Sequence, residues 1–167
     1  MTVVSKNMEM GQGICTGLAT LVAEELDARR DQIRVVAAPI GRAYGNVLMG
    51  GGQGTGGQTS IQAGCMIMRQ AGAAMRQMIL SVAAARWSTD AGSLTIEQGV
   101  VCELNGQRRA SFGKLAVDAM AQPVPAEVVL KTRRASSTSA SSSPDSTQRT
   151  SCAARRSSPK TSSCPAC

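Results

Sequence analysis

Apolar residues fall along this chain in two rhythms, and the change from one to the other marks out the elements. Thr2 to Ser5, centred on Val3 and Val4, reads as a strand that starts with no lead-in, as if the natural start lay upstream. Leu18, Leu21, Val22 and Leu26 keep one helical face apolar, so a helix is expected from about Thr16 to Ala28, with Thr16 as its N-cap. Glu24, Glu25 and Asp27 would form its solvated face. Ile33 to Ala37 alternates as a second strand and stops at Pro39. The longest periodic stretch runs from about Ser60 to Arg86, where Ile61, Cys65, Met68, Gly72, Met75, Ile79 and Val82 define one buried stripe. Gly72, set among Ala71, Ala73 and Ala74, would let another backbone come close. Leu94 to Ile96, Gly99 to Leu104 and Gln107 to Ala110 read as short strands, the last two joined by the hairpin signal Asn105-Gly106. Ser111 can cap a short helix reaching Met120, Pro123-Val124-Pro125 stops it, and Val128 to Lys131 is a final extended piece. The expected class is α+β: a small mixed sheet packed by two main helices, followed by a disordered C-terminal tail.

Composition alters this picture in one place. The net charge of +7 divides into +2 for the first 131 residues and +5 for residues 132–167. The nearly balanced body gives no electrostatic case for nucleic acid, and a nucleic-acid reading would rest on the tail alone. That tail holds twelve Ser and five Thr and no Leu, Ile, Val, Met or aromatic residue, so it cannot bury enough surface to fold. The expected division is therefore a folded part at 1–131 and a disordered Ser/Arg-rich tail at 132–167. Its Cys164-Pro165-Ala166-Cys167 pair lacks further ligands and carries no metal site. Cys15, Cys65 and Cys102 sit in apolar or helical settings that suit free, buried thiols. With no histidine anywhere, Ser-His-Asp and Cys-His catalysis are excluded within this chain. The uncharged run of 26 residues from Ala43 to Met68 is too rich in Gly, Gln and Thr to span a membrane. The N-terminus lacks the apolar core of a signal peptide. Cytoplasm is the expected compartment, with the periplasm as the alternative if an export signal precedes Met1.

Candidate chemistry sits where glycine-rich turns lead into helices. Gly11-Gln12-Gly13 precedes the first helix, and a helix N-terminus presents backbone N–H groups and a positive dipole end to an anion. From Pro39 to Gln58 runs a loop of 20 residues with eight glycines, ending at Gly56-Gly57 and the hydroxyls Thr59-Ser60 at the start of the long helix. Two such lead-ins in one domain favour a bound anion; ordinary turns and a flexible glycine linker are the plain alternatives. Neither has the Rossmann spacing, which wants glycine at Thr16, and no GxxxxGK[ST] loop is present. Adjacent Glu24 and Glu25 point apart on a helix and make no acid–base pair. By this reading alone, the chain could be a stand-alone phosphate- or nucleotide-binding module with a basic tail and no catalysis.

Taken together, the short motifs look like a family. Glu9-Met10-Gly11-Gln12-Gly13, Thr16, Leu21 to Asp27, Tyr44-Gly45-Asn46, Gln53, Thr55-Gly56-Gly57, Thr59-Ser60, Arg69 to Ala74, Trp87, Phe112 to Ala116 and Pro123-Val124-Pro125 occur in order. This series resembles the molybdenum-binding large subunit of the xanthine dehydrogenase and aldehyde oxidoreductase superfamily, nearest the type found as the beta subunit of isoquinoline 1-oxidoreductase. Gln58 departs from the family's usual serine and Cys65 from a frequent aromatic residue. The resemblance implies an oxidoreductase that hydroxylates N-heterocycles or aldehydes with water, and a bound molybdopterin cytosine dinucleotide. It also implies a small partner subunit carrying [2Fe–2S] clusters. Gly11, Gln12, Gly13, Thr16, Gly56, Gly57, Thr59 and Ser60 become its cofactor-binding candidates. The family's catalytic glutamate lies in a motif absent here, so no catalytic residue and no direct metal ligand are assigned. The family's large subunit is several times longer, which implies a fragment, inactive without the remainder of that polypeptide. Read in a shifted frame, Lys131–Ser136, Pro144–Gln148 and Ala154–Cys167 can each encode a run that the family carries in that order, so the tail is expected to be out-of-frame coding sequence.

Overall fold

A computed structural model of the chain describes residues 1–106 and 108–132. The expected disorder of the tail beyond Thr132, and the Cys164/Cys167 pair, lie outside the described residues, as does Gln107 at the start of the third expected hairpin strand.

The first 37 residues make a strand–helix–strand unit. β1 (Thr2–Ser5) and β2 (Arg34–Ala37) pair in parallel, Val3 opposite Val35 and Val4 opposite Val36, and α1 (Ile14–Leu26) connects them. The alternation in β1 points Val3 and Ser5 inward. α1 ends where Asp27 adopts a left-handed conformation (φ 57°), its N–H reaching the carbonyls of Ala23 and Glu24. After the glycine loop, α2 (Thr59–Trp87) runs for 29 residues, about 44 Å at 1.5 Å per residue. The remaining strands, β3 (Leu94–Glu97), β4 (Val100–Glu103) and β5 (Arg109–Ser111), form an antiparallel sheet, and α3 (Phe112–Met120) closes it.

The class is α+β, but the strands form two sheets, β1-β2 and β3-β4-β5, rather than a single mixed one. Local pairing explains the split. Gln98 and Gly99, both at positive φ, make a two-residue turn that sets Glu97 opposite Val100, so β3 and β4 satisfy each other. The core joins both parts: Leu18, Val22 and Leu26 of α1, Met68, Ile79 and Val82 of α2, Leu94, Ile96 and Val101 of the antiparallel sheet, and Leu115 of α3. Each buried Leu or Ile contributes about 2 kcal/mol relative to exposure.

The α1–α2 crossing is close because α2 presents small residues there. A Cβ on Gly72 would lie 2.9 Å from both the Val22 carbonyl oxygen and Glu25 Cβ, and one on Gly64 would lie 2.9 Å from Leu18 Cδ2. This corrects the expected stripe at its amino end. Ser60 and Gly64 are buried there, Gly64 against Leu18 of α1, whereas Ile61 is 44% exposed and Cys65 half-buried. Hydrophobicity favours Ile61 and Cys65, but the tight crossing at this end is made over Gly64.

Glu24 and Glu25 are buried rather than solvated, Glu25 to 1% exposure. Glu25 Oε1 accepts from Arg69 Nε (2.7 Å) and its Oε2 accepts from the Lys131 backbone N–H (2.9 Å). Arg69 also donates to the Lys131 carbonyl (2.6 Å), Arg76 donates to the Val129 carbonyl (2.9 Å), and Lys131 Nζ pairs with Asp27 (2.5 Å). Residues 128–131 are therefore a strap clasped to both helices. Among the described residues, no helix is long and apolar enough to cross a membrane.

Candidate functional site

Both glycine lead-ins arrive at the same end of the helix pair, and neither is capped as the sequence suggests. At α1 the N-cap is Gly13, in the left-handed region (φ 81°), with Gly11 likewise at φ 95°. These are conformations that glycine adopts without steric cost. Thr16 therefore lies within the helix, where its carbonyl accepts from the Thr20 hydroxyl (2.8 Å). The N–H groups of the turn are taken up by the chain itself. Glu9 Oε1 accepts from Gly11 N and Gly13 N, both at 2.9 Å, and Oε2 accepts from Cys15 N at 3.0 Å. The Gln12 amide braces the same turn, Oε1 accepting from Met10 N (2.6 Å) and Nε2 donating to the Met8 carbonyl (3.0 Å).

At α2 the N-cap is Gln58, left-handed at φ 58° and without a side-chain capping bond. The hydroxyls that follow are committed elsewhere. Thr59 Oγ1 donates to the Gly56 carbonyl (2.9 Å) and accepts from Asn46 Nδ2 (2.9 Å). Ser60 Oγ, in a residue 7% exposed, accepts from Asn7 Nδ2 (2.9 Å). Three amide side chains order the long loop. Asn7 also donates to the Gly54 carbonyl (3.3 Å), and Asn46 Oδ1 accepts from Leu48 N (3.0 Å). Gln53 bridges Gly41 N and the Pro39 carbonyl. Met8 N donates to Thr55 Oγ1 (2.8 Å), tying the two lead-ins together.

Between them lies an open cavity of about 480 Å³. Of the eight candidates, Gln12, Gly13, Gly56, Gly57 and Ser60 line it, while Gly11, Thr16 and Thr59 do not. Met10, Ile14, Gly17, Thr55, Gln58 and Ile61 complete the wall. Ile61 packs over Gly17, where an added Cβ would lie 3.3 Å from its Cδ1. Among the described residues no charged side chain lines the cavity, so nothing in that wall repels an anion. The amino end of α2 supplies its positive dipole end. The donors are neutral amides and backbone N–H groups beside an apolar floor, a set that suits a phosphate joined to a planar heterocycle.

Motif reading missed Glu9 and Asn7 as builders of this site, and Asn46 and Gln53 as organisers of the loop. Only Glu9 left a local signal: an acid two and four residues before the glycines of a helix start can fold back onto them.

Residues 1–156 match the family model described as a molybdopterin cofactor-binding domain. The chain is 39% identical over 114 residues to the beta subunit of isoquinoline 1-oxidoreductase from Brevundimonas diminuta, a match covering 68% of this chain and 15% of the relative. It is 36% identical over 110 residues to a nicotinate dehydrogenase subunit from Pseudomonas putida, covering 65% of this chain and 9% of the relative. Among solved structures, CO dehydrogenase from Oligotropha carboxidovorans shares the fold at a TM-score of 0.51 and 21% identity, over 66% of this chain and 13% of that one. The chain thus spans about a seventh or less of the length of these relatives.

Proposed function

The chain belongs to the molybdopterin cofactor-binding domain family, and we propose that the cavity between its two glycine lead-ins is one wall of the site for that cofactor. The observation that carries this reading is a partly apolar cavity beneath the amino end of a 29-residue helix, with no acid among the described residues that line it. In this reading the backbone of Gly56, Gly57 and Ser60 meets the anionic part of a cytosine dinucleotide form, Gln12 and Gly13 bound the opposite side, and Met10, Ile14 and Ile61 keep water from it. When bound, the molybdenum cofactor supplies the oxidation of a carbon atom with water as the oxygen source. The residues of this chain bind and orient; none is assigned a proton to move.

The whole protein is then an oxidoreductase of the molybdenum hydroxylase type. Its substrate class would be N-heterocycles, in line with the isoquinoline and nicotinate in the names of its relatives, or aldehydes. Residues 1–131 contribute a folded part of the cofactor domain, whose family match runs on to residue 156. The remainder of a large subunit and a small [2Fe–2S] subunit complete the enzyme, so this stretch is inactive alone. Among the described residues Cys65 and Cys102 are free thiols, which accords with a reducing compartment such as the cytoplasm.

Titrating the full chain with molybdopterin cytosine dinucleotide, ATP and NAD tests the reading. Selective binding of the pterin dinucleotide, at least about tenfold tighter (1.4 kcal/mol), is expected. Equal or tighter binding of ATP or NAD would instead make the chain a stand-alone nucleotide-binding module.

A further inference from the structure

The two helix ends that flank the cavity are not equivalent, and the difference lies in one side chain. The amino end of α2 is capped by a backbone conformation alone, with the Thr59 and Ser60 hydroxyls turned toward Gly56, Asn46 and Asn7. The amino end of α1 already holds an anion: the Glu9 carboxylate bridges Gly11, Gly13 and Cys15 through three N–H donors at 2.9–3.0 Å. A carboxylate in that position gains from the helix dipole as a bound phosphate would, and a second anion beside it would meet both like-charge repulsion and spent donors.

We propose that Glu9 is a positioning residue of the cofactor site. Its carboxylate is a built-in anion that closes the amino end of α1 to phosphate and leaves α2 as the end that receives the anionic part of the ligand. The inference rests on the cofactor-site reading above and adds a direction to it. Glu9 does not line the cavity. It acts through the turn it holds, in which Gly11 and Gly13 keep positive φ and Gln12 and Gly13 form cavity wall. Gln12 assists from the other side of the turn by joining Met10 N to the Met8 carbonyl. Glycine turns that lead into helices elsewhere bind phosphate with these same N–H groups; here the chain spends them on itself, so the orientation of an asymmetric ligand is decided before it arrives.

The test uses the full-length chain, inorganic pyrophosphate as the probe and amide NMR shifts as the readout. In the wild type, pyrophosphate is expected to move the Gly57 and Ser60 amides and to leave Gly11, Gly13 and Cys15 unmoved. In Glu9→Ala, the amides of Gly11, Gly13 and Cys15 are expected to respond as well, with a second pyrophosphate bound per chain. Glu9→Asp, too short to bridge all three donors, should show a partial response, a gradation that loss of structure would not produce. Wild-type shifts at Gly11, Gly13 or Cys15 at the concentrations that move Ser60 would overturn the proposal, whether or not Glu9→Ala folds. A folded Glu9→Ala chain whose α1 amides still ignore pyrophosphate would overturn it too. Failure of the parent reading looks different: Gly57 and Ser60 stay silent in the wild type, which removes the cofactor site and with it the assignment of α2.

Discussion

The two ends of α2 hold their shape by different means. Toward Trp87, Gly72, Ala73, Ile79, Val82 and Ala83 are buried against α1, β3 and α3, and the strap at 128–131 is clasped across the helix. Toward Thr59 the covering is sparse. Ile61, Met66 and Ile67 are exposed, as are the nearby Met8, Met10, Val47 and Ile40, the last at 99%. What fixes that end is a set of hydrogen bonds from Asn7, Asn46 and Gln53 to loop backbone and hydroxyls. One end is a core in the ordinary sense; the other is a scaffold of amide bonds around an open cavity. Burial tolerates changes that preserve volume, whereas an amide scaffold depends on each donor and acceptor being present.

Three substitutions break or sharpen that contrast. Glu25→Ala removes a carboxylate that joins α1, α2 and the strap, leaving the Arg69 guanidinium only its bond to the Lys131 carbonyl and the Lys131 N–H without its acceptor. A loss of about 3 kcal/mol is expected, at the lower end for a broken buried pair because Arg69 keeps some solvent. Urea unfolding followed by circular dichroism would show it as a lower midpoint, and an unchanged midpoint would contradict the clasp. Asn7→Leu keeps the volume but strips the bonds to Gly54 and Ser60. About 2 kcal/mol is expected, the cost of leaving buried partners unsatisfied. Hydrogen exchange should quicken from Gly54 to Ser60 while the Trp87 end stays protected; a uniform change along α2 would dissolve the distinction between its ends. Ile67→Ser, on the exposed side, should change stability by no more than about 0.5 kcal/mol. A loss as large as that of Glu25→Ala would mean that the open end is a second core.

What could be read from the sequence follows the range of the forces involved. α2 was legible because its period repeats for 29 residues, and β1 and β2 because two short apolar runs flank one helix. The burial at its start was not, since Ile61 outweighs Ser60 on any hydrophobicity scale, although Ser60 is buried against Asn7 and Ile61 is 44% exposed. Glu25 reads as solvent-facing when only its neighbours are considered. Its partners stand 44 and 106 residues away, beyond any local pattern. The two glycine lead-ins were visible as a pair, and five of eight marked residues do line one cavity. The capping hydroxyls were misplaced because Thr59 and Ser60 answer to Asn46 and Asn7, partners that only folding brings near.

The separation between Glu25 and its second partner also bears on how the chain is made. At about 5–20 residues per second, a ribosome that has released Glu25 takes a few seconds to deliver Arg69 and roughly 5–20 s to deliver Lys131, 106 residues later. Through that interval the carboxylate must remain hydrated or be held by Arg69 alone, so the three-way contact of α1, α2 and the strap cannot be complete before Lys131 has emerged. The clasp can close only when the last residue of the strap has emerged.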